Sequence, residues 1–260
     1  MSHGFTAVDE QPEPRDWIEV LDRIRREPFY VAYKARLAEL LRPMRGGRYL
    51  DVGCGTGDDA LALAARYGVE ILGVDASEAM VAEARRRGLA QAFVADAHVL
   101  PFDDASFDGC AADRVFQHLE DPVAALAELV RVTRPGGRIA TADPDYETQV
   151  VAVRDQELAR RVRRYRAGHI RNGTLAHRMV DLFAGAGVDD IQVEARTLVV
   201  RDPSAVDNVM GLREWARHGL GAADGSAWER ELDAAVARGA FLYAVTFFLT
   251  AGTVARCVRR

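Results

Sequence analysis

Residues 50–67 read LDVGCGTGDDALALAARY, and this stretch decides the fold. Arg48 to Val52 make a short apolar strand, and Thr56 to Tyr67, rich in alanine and leucine, has the spacing of a helix. Between them Gly53, Gly55 and Gly57 let the backbone approach a ligand without Cβ obstruction, just before a helix N-terminus. Val69 to Val74 reads as a second strand, which completes a βαβ unit.

Downstream, the alternation continues. A helix is expected at Ser77 to Arg87, strands at Gln91 to Ala95 and Phe107 to Ala112, and a helix at Pro122 to Val132. Arg134-Pro135-Gly136-Gly137 is a turn by composition, and Arg138 to Ala142 a fifth strand. Asp145 to His177 then breaks the rhythm with a polar, arginine-rich segment, read as a cap or lid. Leu175 to Gly185 reads as a helix and Ile191 to Val200 as a strand; helices follow at Ala205 to His218 and Ser226 to Arg238, with Gly219 to Gly225 as their loop. Phe241 to Thr250 closes as a strand. Upstream, Asp16 to Arg26 and Tyr30 to Leu41 make two helices separated at Pro28. The expectation is an α/β fold: a doubly wound, seven-stranded, mostly parallel sheet with helices on both faces, N-terminal helices and a cap insertion after the fifth strand. The segments are a mobile lead-in (1–15), covering helices (16–45), the ligand-binding core (46–144), the cap (145–185) and the remainder of the sheet with its helices (186–260).

The formal net charge of −5 gives no bulk attraction for a polyanion, so nucleic acid is not expected as a partner. No run reaches the roughly 18 apolar residues of a membrane span, so no membrane partner is expected. Cys54, Cys110 and Cys257 are widely spaced and suggest neither a zinc site nor a disulfide framework, which fits a cytoplasmic protein. A homodimer is left open as the assembly. Lys34 is the single lysine among 34 basic residues.

The chemistry sits at strand ends. Asp51 ends the first strand, Asp75 the second and Asp96, with Ala97, the third. Ligands of open α/β sheets lie along that carboxyl edge. Asp75 is placed to accept from ribose hydroxyls, and Asp96 lies where adenine is expected. Asp58 and Asp59 open the helix after the glycine turn, where they are expected to repel a pyrophosphate and favour a cationic cofactor without phosphate.

These residues, together with Gly73-Val74-Asp75-Ala76-Ser77, Met80, Leu100-Pro101-Phe102, Ser106-Phe107-Asp108 and Leu129 to Gly137, resemble the class I S-adenosylmethionine-dependent methyltransferases, of Rossmann-like fold. The ubiquinone and menaquinone biosynthesis C-methyltransferases and their natural-product relatives are similar. The resemblance covers about Leu50 to Ala142. It implies S-adenosyl-L-methionine as cofactor, with Asp51, Gly53, Cys54 and Gly55 at the glycine turn and Gly53 and Gly55 near the methionine part. It further implies Asp75 at the ribose, Ala76 and Met80 on the adenine face, Asp96 and Ala97 at the adenine edge, and Arg114 at the junction of methionine and acceptor.

Methyl transfer from a sulfonium mainly requires alignment of donor and acceptor and exclusion of water. A neutral histidine can take the proton of an acceptor hydroxyl, amine or acidic carbon, and the catalytic candidates are His118, just past the fourth strand, and His169 in the cap. Tyr30 and Tyr33 in the covering helices, and Tyr146 and Arg166 in the cap, are candidates for the acceptor side. Trp215 is expected in the core. No metal is expected, because Asp113 is the only well-placed carboxylate at the fourth-strand end. The expected function is methylation of carbon, oxygen or nitrogen on a small secondary-metabolite or quinone-like acceptor, enclosed by the cap. The alternative is a cofactor-binding cyclase or rearrangement enzyme of the same fold.

Overall fold

Strand β1 (Arg48–Val52) is flanked in parallel by β2 (Glu70–Asp75) and β4 (Phe107–Asp113), with Leu50 opposite both Leu72 and Cys110. A computed structural model describes Asp9, residues 14–204 and residues 212–256. β3 (Ala92–Val94), β5 (Thr133–Val151), β6 (Val188–Val200) and β7 (Tyr243–Val254) complete a seven-stranded sheet of order β3-β2-β1-β4-β5-β7-β6. β1 to β5 pair in parallel, whereas β7 inserts antiparallel between β5 and β6.

Alternation along β1 sends Tyr49 and Asp51 to one face and Leu50 and Val52 to the other. The Tyr49 face is covered by α2 (Pro28–Leu41), α3 (Asp58–Tyr67), α4 (Glu78–Arg87), α6 (Gln156–His169) and a pair near the end of the chain, α8 (Leu212–Gly219) and α9 (Ala222–Ala237). The other face packs on α5 (Pro122–Val132) and α7 (Met179–Gly185). α1 (Pro14–Ile24) precedes them. Helix starts follow local chemistry: Pro28 and Pro122 stand in the first turns of α2 and α5. Ser77 caps α4 by accepting from the Met80 N–H at 3.1 Å, and Asp121 caps α5. The fully buried Trp228 of α9 donates its indole N–H to the Leu212 carbonyl at 3.1 Å, which ties α9 to α8.

Several expectations change. The turn at Arg134 to Gly137 is a β-bulge inside one continuous strand, since β5 begins at Thr133 opposite Phe107 and its register shifts before Arg138 meets Gly109. β5 also continues past Ala142 to Val151, where it pairs with Tyr243. The cap therefore does not start at Asp145: residues 145–151 belong to the sheet, and α6 is the first element to leave it. The polar residues that suggested a break are accommodated because several are buried and hydrogen bonded, Asp145 among them. Gly225, expected in a loop, is buried inside α9. Of the helix expected at Ala205 to His218, residues 205–211 lie outside the described residues, as do the side chains of Trp215 and His218. The lead-in also lies mostly outside them, but Asp9 is held against α4, accepting from the Ser77 hydroxyl at 2.7 Å and the Glu78 N–H at 2.8 Å.

Candidate functional site

The glycine turn is built from backbone. Gly53 has φ +70° and donates its N–H to the Val74 carbonyl at 2.7 Å; a Cβ there would stand 2.3 Å from Val115 Cγ2. Gly55, at φ +52°, donates to Asp75 Oδ2 at 2.8 Å, and Ser77 N–H donates to Asp75 Oδ1 at 3.0 Å. One carboxylate thus joins the turn after β1 to the start of α4. Burial raises the Asp75 pKa, against the pull of these N–H donors. Cys54 is buried beside Gly73, and burial pushes its thiol up. Asp51 is buried too; desolvation and then the neighbouring Asp59 hold its carboxyl well above the usual range.

The structure gives Asp58 and Asp59 cationic partners that the sequence did not reveal. Asp58 accepts from Arg87 at 2.7 Å and Arg25 at 3.2 Å, and Asp59 pairs with Lys34. Lys34 also reaches Asp113 at 3.1 Å. Each of these cations is also shared with another carboxylate: Arg25 and Arg87 with Asp22, and Lys34 with Asp113. A cavity of about 60 Å³ lies under α2 beside this cluster, lined in part by Lys34, Asp51, Asp59 and Asp113.

Beyond β2, Ala76 is exposed and Met80 is buried at the start of α4. Asp96 follows β3, with its exposed carboxylate turned to His98: it accepts the His98 N–H at 2.9 Å and meets the ring Nδ1 at 2.5 Å. Those contacts hold the Asp96 pKa low, with the His98 N–H contributing most. Ala97 is half-buried next to it.

The far side of the edge is made of side chains. Arg114 leaves β4 at φ +58°, donates its N–H to the Ala142 carbonyl at 2.7 Å, and sets its guanidinium over the Tyr30 ring at 5.5 Å. Tyr30 and Tyr33 are almost wholly buried in a ring cluster with Phe29 and Phe247, and Tyr33 donates to Asp113 at 2.9 Å. His118 stands on a short 3₁₀ turn, Phe116–His118. His169, in the last turn of α6, stacks on Tyr165 with ring centroids 5.1 Å apart. The chain after α6 returns to the His118 turn, where the Asn172 side chain donates to the carbonyls of Phe116 and Leu119. Arg166 is buried and lies over the Tyr146 ring at 5.2 Å. The structure therefore brings Tyr30, Arg114, Tyr146 and Arg166 together, from four separate segments.

Sequence reasoning missed Tyr243, which joins this group because β7 lies beside β5. It gave no role to Asp143, one strand away from Asp113, a buried carboxyl whose Oδ1 accepts the Gln117 N–H at 3.2 Å and whose Oδ2 has no hydrogen-bond partner among the described residues. The single lysine was the one signal in the chain that could have drawn attention to the Lys34 cluster. Among the described residues one group has metal-ligating atoms within 4.8 Å of one another: Asp145, Glu147 and His177. There the Asp145 carboxylate already accepts the N–H groups of Glu147 and His177 and contacts the His177 ring, which accounts for the cluster as a turn anchor.

Residues 50–141 match the methyltransferase domain family. Over 243 residues, 90% of this chain and 70% of the other, the sequence is 35% identical to an uncharacterized 37.1 kDa protein of a Streptomyces fradiae transposon. It is also 39% identical over 150 residues to the O-methyltransferase rstn1 of Aspergillus nomiae, covering 54% of this chain and 63% of that protein. A demethylmenaquinone methyltransferase of Beutenbergia cavernae is 46% identical over 99 residues, 38% of this chain and 41% of that one. The chain belongs to the class I S-adenosylmethionine-dependent methyltransferases. In structure this methyltransferase superposes on Haemonchus contortus phosphoethanolamine N-methyltransferase 2, solved with S-adenosyl-L-methionine, with a TM-score of 0.63 and 21% identity over 98% of this chain and 61% of that one. The matched stretch spans from 41% to 70% of the length of these relatives.

The cofactor of this methyltransferase is S-adenosylmethionine, and the site suits it. Two glycines at positive φ present bare backbone at the end of β1, and a half-buried carboxylate stands at the end of β2. No helix among the described residues is long and apolar enough to cross a membrane.

Proposed function

We propose that the protein methylates an oxygen of a small-molecule acceptor of the secondary-metabolite or quinone-like kind. The observation that carries this reading is the group formed by half-buried Arg114 after β4, buried Tyr146 of β5 and buried Tyr243 of β7, closed over by Tyr30 of α2 and Arg166 of α6. A site covered by two helices suits a small acceptor rather than a groove for a macromolecule. Oxygen as the methylated atom is supported by the similarity to a fungal O-methyltransferase.

In this reading Gly53 and Gly55, with Asp51 and Cys54 beside them, cradle the methionine part of the cofactor. Asp75 accepts from the ribose hydroxyls, Ala76 and Met80 face adenine, and Asp96 and Ala97 hold its edge. S-adenosylmethionine supplies a methyl group already activated on a sulfonium. The chain's own residues orient the acceptor and exclude water: Arg114 at the junction, Tyr30, Tyr33, Tyr146 and Arg166 around the acceptor, with His118 taking the acceptor proton and His169 held at the rim. Buried, unpaired Cys54 and Cys110 suit a reducing, cytoplasmic location.

The test is transfer of isotope-labelled methyl from S-adenosylmethionine to a panel of phenols and hydroxyquinones, with S-adenosylhomocysteine measured in parallel. Labelled product in step with S-adenosylhomocysteine is expected. Acceptor conversion that leaves the donor intact would favour a cyclase or rearrangement instead. Within an active enzyme, His118→Ala is expected to lower turnover by about 10²-fold or more while cofactor affinity holds.

A further inference from the structure

The last strand of the sheet is open along its outer side. β6 ends the strand order, and among the described residues it pairs with β7 alone. From Gln192 to Val200 that pairing is unbroken, so the outer side of the same stretch offers a regular row of backbone N–H and C=O groups to a further strand. Its faces are open as well: Ala195, Arg196 and Thr197 are all exposed, and Val193 and Val199 are 43% and 57% exposed. Free edges of this length are usually blunted by proline, lysine or a bulge. Residues 192–200 contain no proline or lysine, and the register of β6 shifts ahead of them, between Asp189 and Gln192.

The charges along this edge suit a copy of itself. Two identical strands related by a two-fold axis pair antiparallel, with one residue opposite its own copy at the axis. With Ala195 at the axis, Glu194 stands opposite Arg196 of the second copy and Arg196 opposite Glu194 of the second copy. On the other face Val193 meets Thr197 and Ala195 meets Ala195, small and β-branched side chains that pack well across strands. Moving the axis by one residue in either direction sets Glu194 against Glu194 or Arg196 against Arg196, and like charges directly opposite destabilise a strand pair. The run Glu194-Ala195-Arg196 therefore favours one register over its neighbours.

Within the chain, Glu194 is held by Arg36 at 3.0 Å and by Arg196 at 2.6 Å, so the charged row is already set in place. Self-pairing extends it into one network of Arg36, Glu194 and Arg196 from both copies, an arrangement that contributes more than an isolated exposed pair. Arg36 belongs to α2, the helix that also carries Tyr30 and Tyr33, so this edge is tied to the helix closing over the site. We propose that two copies of this chain pair antiparallel through β6, centred on Ala195, and join their sheets into one. This inference stands apart from the acceptor reading.

The test is cysteine cross-linking with sedimentation velocity on the full chain. In a Cys257→Ser background, with Cys54 and Cys110 buried, Ala195→Cys is expected to give a disulfide-linked dimer under mild oxidation. Val193→Cys mixed with Thr197→Cys is expected to do the same. Val193→Cys alone is not, because its two copies then stand about 13 Å apart along the strands, beyond the reach of a disulfide. Sedimentation is expected to show a dimer at roughly 10–100 µM chain, weakened about tenfold or more by Arg196→Glu. An equal mixture of Arg196→Glu with Glu194→Arg is expected to restore it. Should Glu194→Arg fail to fold without its bond to Arg36, the cross-links and Arg196→Glu decide. A monomer throughout that concentration range overturns the proposal. So does the absence of both expected cross-links, cross-linking of Val193→Cys alone as readily as Ala195→Cys, or a dimer indifferent to Arg196→Glu.

Discussion

The two halves of the strand edge are built in different ways. On the cofactor half, the wall is backbone: Gly53 and Gly55 at positive φ, held by the Val74 carbonyl and the Asp75 carboxylate, within 25 residues of chain from Asp51 to Asp75. On the acceptor half, the wall is side chain: Tyr30, Arg114, Tyr146, Arg166 and Tyr243, from α2, the end of β4, β5, α6 and β7. A backbone wall tolerates almost no change in shape and suits a cofactor shared across a family. A side-chain wall can be rewritten residue by residue without disturbing the sheet, which suits an acceptor that differs from one relative to the next.

If that contrast is right, the largest effect should come from the backbone wall. Gly53→Ala must place a Cβ at φ +70° and 2.3 Å from Val115 Cγ2. The left-handed conformation costs about 1–2 kcal/mol and the overpacking a further ~1–3 kcal/mol, so S-adenosylhomocysteine titration and thermal melts should both show severe loss. Unchanged cofactor affinity would break the comparison. Asp75→Ala comes next, because its carboxylate fastens the turn and, in the function proposed above, also accepts from the ribose. A loss of about 1–3 kcal/mol in cofactor affinity is expected by calorimetry, with a lower melting temperature from the released Gly55 and Ser77 N–H groups.

The other half should respond more gently. Tyr33→Phe removes the hydrogen bond to Asp113, and denaturant unfolding should show a loss of about 1 kcal/mol. Asp143→Asn sharpens the picture of buried electrostatics. Burial raises the Asp143 pKa above its unfolded value near 3.8, with Asp113 adding to the rise and Arg114 and the Gln117 N–H opposing it. The stability this group contributes is therefore complete below the unfolded pKa and falls as pH rises through the folded one. Wild type should lose more stability than the asparagine variant between acid and neutral pH, measured by melts across that range. A variant with the same pH slope would show that Asp143 is not held protonated.

What the sequence determined by itself is the cofactor half and the elements that carry it. β1 and α5 lie where they were expected, α3 and α4 start within two residues of expectation, and the Gly53, Gly55 and Asp75 spacing places all three on one edge. Those features are local: strand and helix periods, caps and glycine turns are read within a few residues. Only the tertiary structure decided the rest. It set β7 beside β5, which brought Tyr243 to Arg166, and it continued β5 through the stretch at Asp145 that its polarity marked as a break. It also laid Lys34, Arg25 and Arg87 on Asp59 and Asp58, which gave an acidic helix start its cationic partners. The reason is physical: residue periodicity settles which face of an element is buried, but not which distant element covers it, and the charge and chemistry of a site belong to that pairing.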